Sequence, residues 1–390
     1  MNNIPENSVF SLKTLTSIND IPSEQWNRLN TTGHPFVMHD FLAALEDSNC
    51  VGGDTGWDIL HLCVYDEEHN LRGVMPHYLK YHSYGEYIFD HSWANAYERS
   101  GQTYYPKSLS AVPFTPVPGP RLLTLKVDIQ AKQALFASMQ ALIENNNLSS
   151  AHINFIDIDD LTAARDNSWM VREGLQFHWH NQDYESFDQF LDYLTSRKRK
   201  NIRKERASIT KAGVTMLRLT GAAITQDHID TFFRFYMSTI DRKWGGAYLT
   251  HEVFTQLGKT MADRMLLVMA EYEGNIIGGA LNFIGDDALY GRNWGADIDI
   301  PNLHFEACYY QAIDFAIEHG LSRVEAGAQG LHKVQRGYLP VTTNSVHLIA
   351  HGGFRDAVAR FLEAEKRGVE AEKNHIAMTS PFKASQPHHR

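Results

Sequence analysis

Residues 266–339 read LLVMAEYEGNIIGGALNFIGDDALYGRNWGADIDIPNLHFEACYYQAIDFAIEHGLSRVEAGAQGLHKVQRGYL, and this stretch decides the fold. Three apolar runs are parted by Glu273-Gly274-Asn275 and Gly285-Asp286-Asp287, and the third ends at Tyr290-Gly291-Arg292. Turn residues between apolar runs predict three consecutive antiparallel strands. Phe305, Cys308, Tyr309, Ala312, Ile313, Ala316 and Ile317 then recur at the spacing of one buried helix face. Pro301-Asn302 opens that helix and Gly320 closes it. Residues 323–328 read as a short strand, returned beside the third one by the helical crossover.

Working outward, the same order occurs twice. In the first half it runs strand 9–15, helices 23–29 and 36–45, a hairpin of 57–65 and 71–79, a third strand 84–89, a long irregular stretch 90–121, helix 129–143 and apolar strand 152–158. The hairpin turns at Asp66-Glu67-Glu68-His69-Asn70, which has the right turn chemistry. In the second half strand 214–219 and helices 227–240 and 251–261 lead into the three-strand meander. This order predicts a duplicated domain, read from pattern alone. Between the halves, Phe187, Phe190, Leu191 and Leu194 form an apolar stripe that leads into RKRKNIRKER at 197–206. The expected division is residues 1–185 as a first domain, 186–212 as a basic linker helix, and 213–390 as a second domain ending in a helix at 354–372. The fold class is α/β (α+β), each half a mixed, mostly antiparallel sheet flanked by helices.

A chain of 390 residues is long for one core, and 43% hydrophobic residues suffice for two. The net charge of −10 and pI near 6.0 argue against a generally basic, nucleic-acid-coating surface, though a local patch stays open. The N-terminus MNNIPENSVFSLKTL has no signal-peptide pattern and no run is long enough to span a membrane, so a soluble cytoplasmic protein is expected. Cys50, Cys63 and Cys308 have no pairing or Cys-x-x-Cys spacing and are expected to be buried free thiols. Twenty histidines include no ligand spacing such as His-Glu-x-x-His, so no metal is expected. No Walker loop, Gly-x-Ser-x-Gly or Gly-x-Gly-x-x-Gly is present either.

The strings GEYIFD at 85–90, YYPK at 104–107, PFTP at 113–116, LHFE at 303–306, CYY at 308–310 and GAQGLHK at 327–333 resemble the FemAB-like family of peptidoglycan biosynthesis or recognition proteins. That family belongs to the GNAT acyltransferase superfamily, and the resemblance runs from about residue 35 to about residue 365. It implies two tandem GNAT-like domains and transfer of an acyl or aminoacyl group to an amine, such as that of a peptidoglycan precursor. In Fem aminoacyltransferases a Lys-x-x-aromatic-Gly element follows the last repeat strand of the second domain. Lys333-Val-Gln-Arg336-Gly337 occupies that place here, with Arg336 where the aromatic would be.

Acyl transfer to an amine needs a base for the amine, donors for the developing oxyanion and an acid for the leaving group. His304 and Glu306, at the first turn of the 305–319 helix, are the candidate bases, and Lys333 is the third catalytic candidate. The alternative is that Glu306 complements the helix dipole and His304 is a capping residue. Tyr290 and Arg292 share a strand face where a GNAT-type sheet splays. Glu325, Gln329, His332 and Arg336 follow among Gly327, Gly330 and Gly337, a stretch able to hold a phosphate or oxyanion, or simply a solvated loop. In the first half Asp90, Trp93, Tyr97, Tyr104, Tyr105 and Lys107 fall in the long irregular stretch and form a candidate substrate wall, or a loop packed on its own domain.

The donor is open between aminoacyl-tRNA and acyl-CoA, with no tightly bound cofactor expected. A GNAT pyrophosphate would sit over residues 295–302, where the phosphate-binding glycine pattern is missing, Asp297 and Asp299 bring like charge, and Pro301 removes an N–H. The basic run from Arg197 to residue 206 could contact tRNA phosphates or be a solvated helix face. A binder without catalysis, on the same scaffold, is the alternative from another class. The acceptor amine, which group is the base, and the oligomeric state stay open.

Overall fold

The computed structural model describes residues 10–126, 128–242, 246–328 and 330–383. The chain forms two compact units, Met1–Gly174 with Thr343–Gly368, and Leu175–Thr342 with Val369–Arg390. The segment expected to link the halves therefore belongs to the second unit, and residues 343–368 of the expected second domain belong to the first.

In the first unit strands β1 (Ser11–Leu15), β3 (His61–Tyr65), β4 (Leu71–Met75) and β7 (Leu123–Thr124) form an antiparallel sheet in the order β1-β3-β4-β7. A second set comprises β2 (Trp57–Ile59), β5 (Tyr78–Lys80), β6 (Lys107–Ser110), β8 (Ser150–Ile156) and the 343–349 part of β15 (Leu339–Ile349), ordered β15-β8-β6-β5-β2. All its pairs are antiparallel except β6 with β8, which run parallel because helix α4 (Ile129–Asn146) returns the chain between them. Asp128 caps α4 by accepting from the Ala131 N–H, and Leu135, Phe136, Met139 and Ile143 pack its inner face on Leu62, Val64 and Ile153.

In the second unit strands β10 (Val214–Leu219), β11 (Met265–Tyr272), β12 (Asn275–Ile284) and β13 (Ala288–Ala296) form the expected meander. Helices α8 (Gln226–Arg242) and α9 (His251–Thr260) lie between β10 and β11 in sequence. The α8 backbone approaches β13 so closely that a Cβ on Gly295 would lie 2.1 Å from the Phe235 carbonyl, so only glycine fits there. The crossover helix consists of α10 (Leu303–Phe305), a π-helical turn Glu306–Tyr310 and α11 (Gln311–Glu318). It returns β14 (Arg323–Glu325) parallel to β13, and the 178–180 end of β9 (Met170–His180) pairs antiparallel on β14's far edge.

The mixed, mostly antiparallel sheets flanked by helices are those expected, and several local readings change. Residues 84–89 form no strand; the strand that fills this role is β6, after helix α3 (His91–Arg99). The stretch 90–121 is thus not irregular throughout, because Trp93, Ala94 and Tyr97 make one buried helix face. The basic segment is two helices, α6 (Phe187–Tyr193) and α7 (Ser196–Lys211), and the tail helix α12 covers Gly352–Ala377. Cys50 and Cys63 are buried and Cys308 is half-buried. No helix among the described residues is long and apolar enough to cross a membrane, and none of these residues groups into a metal-binding set.

Candidate functional site

Parallel pairing of β13 and β14 covers only Ala288↔Arg323, Leu289↔Val324 and Tyr290↔Glu325. Beyond Tyr290, β13 continues on β12 alone, while the chain after β14 turns to Phe177, exchanging the Ala326 N–H to Phe177 O and Phe177 N–H to Gly327 O bonds. The two strands therefore fork. Where β13 ends and α10 begins, a cavity of about 270 Å³ is lined by Thr239, Trp294, Asp299, Asn302, His304 and Phe305 among others.

His304 is half-buried in that wall, its ring 5.6 Å from Trp294 and 5.3 Å from Tyr309. His332 joins the same aromatic layer, with Nε2 2.9 Å from the Tyr309 hydroxyl and its ring 6.1 Å from His304. Burial, then Arg336 and Lys333, push the His332 pKa down. Arg336 lies 3.4 Å over the Phe305 ring, donates 2.9 and 2.8 Å bonds to both oxygens of Glu205, and gives a further bond to the His332 carbonyl. A stacked guanidinium with a bidentate carboxylate is a firmly held one. The family's aromatic position is thus filled by a cation that stacks on an aromatic from another helix.

Glu306 faces elsewhere. Its carboxylate accepts from Arg206 at 3.1 and 3.3 Å and from Gln311 at 2.7 Å, and Arg206 also bonds Asp314. The π turn brings Glu306 and Tyr310 to the α7 side, where the Tyr310 hydroxyl donates to Glu205. Such a turn inserts one residue into the helical count, and π turns are frequent at functional sites. His304 and Glu306 consequently belong to different clusters.

Lys333 is buried, and its ammonium donates to the carbonyls of Ala326 and Gly327, the residues just past β14. No carboxylate pairs with it among the described residues, and burial pushes its pKa down to about 8. Glu325 is buried at the fork. Burial raises its pKa to about 7 against the pull of Arg323, whose Nε donates to Oε1 at 2.9 Å. Its other oxygen has no hydrogen-bond partner among the described residues and lies 3.6 Å from His178 Nε2. Burial, then Arg323 and Lys333, push His178 to about 3. The Tyr290 hydroxyl is 3.4 Å from Arg323 and Arg292 is half-buried on β13. Gln329 lies outside the described residues. His178, Glu205 and Tyr309 were missed by sequence reasoning; Glu205 and Arg336 are 131 residues apart, and no local pattern announces such a pair.

The first-unit candidates form no exposed wall, though Tyr97 lines a separate cavity of the first unit. Asp90, Trp93, Tyr97, Tyr104 and Lys107 are buried and Tyr105 is half-buried. Lys107 donates to Asp90 and, at 2.8 Å, to Glu86, while Asp90 also accepts from Ser83 and from Tyr104 at 2.7 Å. Burial raises Glu86 to about 7; burial would also raise Asp90, but Lys107 holds it well below the usual range. Burial would lower Lys107, and the two carboxylates push it above its ordinary value. What this network displays outward is a set of aromatics absent from the expected list: Tyr81, Tyr84, Tyr87 and Phe89, with Tyr84 64% and Phe89 61% exposed.

Helix α7 sorts its charge by face. At 100° per residue Arg197, Lys200, Lys204 and Lys211 fall within one 60° stripe, and all four are exposed. Arg199, Arg203 and Arg206 lie on another face and pair with Asp192, Asp188, and Glu306 with Asp314.

The chain belongs to the FemAB-like family, described as peptidoglycan biosynthesis/recognition, whose profile matches residues 17–384. No curated protein sequence matches it. Among solved structures it is similar to the crystal structure of FemX, at 12% identity and a TM-score of 0.54, over 85% of this chain and 96% of that one. It is also similar to L-PGS from Bacillus licheniformis, at 10% identity and TM-score 0.46 over 79% and 90% of the two chains. A tandem GNAT protein from the clavulanic acid biosynthesis pathway has 10% identity and TM-score 0.45 over 88% and 99%.

Proposed function

We propose that the protein transfers an acyl or aminoacyl group to an amine at the fork between β13 and β14. The observation that carries this reading is the fork itself, with a cavity of about 270 Å³ beside it walled by His304, Trp294 and Phe305. A carbonyl laid in the gap would lie between the two diverging strands, and an amine in the cavity would lie beside an imidazole. In this reading His304 takes the proton from the attacking ammonium, and the freed lone pair adds to the acyl carbon. Lys333, with a pKa near 8, donates to the oxyanion; as the carbonyl re-forms and the bond to the departing oxygen or sulfur breaks, it protonates the leaving group, and the neutral amine so formed takes the second proton from the new amide nitrogen. Glu306 acts by holding Arg206 and α7 against the crossover helix rather than as a base.

Aminoacyl-tRNA is the preferred donor. The start of α10 does not fit a pyrophosphate: Pro301 has no N–H, the Leu303 N–H is taken by Ile300 O, Asp299 lines the cavity and Asp297 pairs with Arg234 at 3.3 Å. The α7 stripe offers four cations to a phosphate backbone. A second reading, a binder of cell-wall glycan without turnover, is favoured by the exposed rings of Tyr81, Tyr84, Tyr87 and Phe89.

The test is transfer of radiolabelled amino acid from charged tRNA, and of acetyl from acetyl-CoA, to a panel of peptidoglycan-precursor amines. His304→Ala is expected to lower turnover by about 10²-fold or more, with Kd for the acceptor little changed. Acetyl-CoA turnover abolished by substitutions within 297–302 would overturn the donor assignment. Binding of a precursor without turnover of either donor would favour the second reading.

A further inference from the structure

The first unit contains a larger cavity, about 710 Å³, that the transfer reaction does not use. Its floor is buried: Tyr97, Ile143, Leu148 and Ser149. Its walls come from three helix C-terminal ends and one helix start. Gln102 follows α3; Gln140, Glu144 and Asn147 belong to the last two turns and cap of α4; Asn167 and Ser168 close α5 (Ile158–Asp166). Opposite in chemistry, His351 and Arg355 belong to the start of α12.

Charge is therefore sorted by element. Helix C-terminal ends carry partial negative charge, and here they add the Glu144 carboxylate, which accepts from Gln140, and the side-chain amides of Asn147 and Asn167. All of these favour an ammonium. The start of α12 contributes positive dipole, the His351 ring and the Arg355 guanidinium, which favour a carboxylate. Arg355 is steadied by Nε donating to Ile349 O at 2.8 Å. The volume is within the range of about 300–1,000 Å³ usual for ligand pockets.

We propose that this cavity is a binding site for a short peptide bearing both a free ammonium and a free carboxylate, the ammonium at Glu144 with the ends of α4 and α5, the carboxylate at Arg355 and His351. The site is independent of the transfer reaction, and its ligand recognition is read by binding alone. The probes are trialanine and trilysine, each also as its N-acetylated and its C-amidated form, titrated calorimetrically into the full chain. At least one unblocked peptide is expected to bind with Kd in the millimolar range or tighter, and blocking either end is expected to weaken it by about tenfold. Glu144→Gln should remove the discrimination against the N-acetylated form while leaving that against the amide, and Arg355→Gln should do the reverse. Nuclear magnetic resonance shift changes at Tyr97 and Leu148 would place the peptide. No binding of either unblocked peptide, equal binding of blocked and unblocked forms, or indifference to both substitutions overturns the proposal. Glu144 is exposed and Arg355 lies on the rim, so both variants are expected to fold, which circular dichroism verifies.

Discussion

The parallel pairs β6/β8 and β13/β14 begin alike and end differently. Each joins two strands across a helix, and each pairs over three residues. In the first unit the chain after β6 comes back: Gly119 bridges Ile156 in parallel and its N–H donates to Phe155 O, extending the β8 edge. The buried Arg121 side chain locks this return by donating to Val117 O at 2.7 Å. In the second unit no such returning segment occurs among the described residues, and a cavity lies beside the gap. The lysines beside the two pairs differ in the same sense. Lys107 is enclosed by two carboxylates and its charge is stabilised; Lys333 meets carbonyls and, among the described residues, no carboxylate, and its charge is disfavoured. A closed pair with a satisfied lysine is architecture. An open pair with a lysine whose charge is disfavoured is what the proposed transfer would use.

The largest effect expected from breaking this contrast is at Lys107. Lys107→Met leaves Glu86 and Asp90 buried without their cation, and a loss of about 3–5 kcal/mol is expected by chemical denaturation. Lys333→Met removes a buried charge that has no carboxylate, so stability is expected to stay within about 1 kcal/mol or rise, while transfer is lost. Equal destabilisation by the two substitutions would erase the distinction between the lysines.

A smaller effect concerns pH. Glu325 has its proton affinity raised from 4.5 to about 7 on folding, so between those values the folded chain holds more protons than the unfolded one. Stability from this group therefore falls as pH rises through that window, by an amount on the order of 3 kcal/mol. Glu86 has the same sign. Glu325→Gln should flatten the slope of unfolding free energy between about pH 4.5 and 7 by roughly half; an unchanged slope would show that Glu325 keeps its ordinary affinity. Smallest in stability is Lys200→Glu with Lys204→Glu, expected within about 0.5 kcal/mol of the parent. The pair should nonetheless weaken tRNA binding and reduce its salt dependence by about two phosphate contacts, measured by filter binding over a salt series.

How much of this was legible follows from where the information is local. The meander and its crossover helix were readable from turn residues and a helical apolar period. The π turn was not, since one inserted residue leaves the composition unchanged while moving Glu306 and Tyr310 into the buried set. Strands β9 and β15 escaped because MVREGLQFHWH and LPVTTNSVHLI mix polar and apolar positions without turn signals at both ends. Lys333, Arg336 and His304 were found through family strings; Glu205, which holds Arg336, and His178, beside Glu325, come from distant segments and left no pattern, while Tyr309 was read only as a core position of its helix. In the first unit, aromatics and charges in one stretch suggested a wall, whereas burial of Asp90 and Lys107 directs Tyr84 and Phe89 outward instead.

The boundaries of the two units fall within β9, β15 and α12, so the chain leaves the first unit at residue 174 and rejoins it at 343. β8 waits for its neighbour across that excursion: Ser150 pairs with Ile349 and Ile156 with Asn344. On the ribosome the N-terminal residues emerge with one sheet edge bare, and the whole of 175–342 must be made before the strand that covers it appears. The second unit waits in turn for Val369–Arg390, so neither unit can close until most of the chain has been made, and the bare β8 edge is what a chaperone would shield meanwhile.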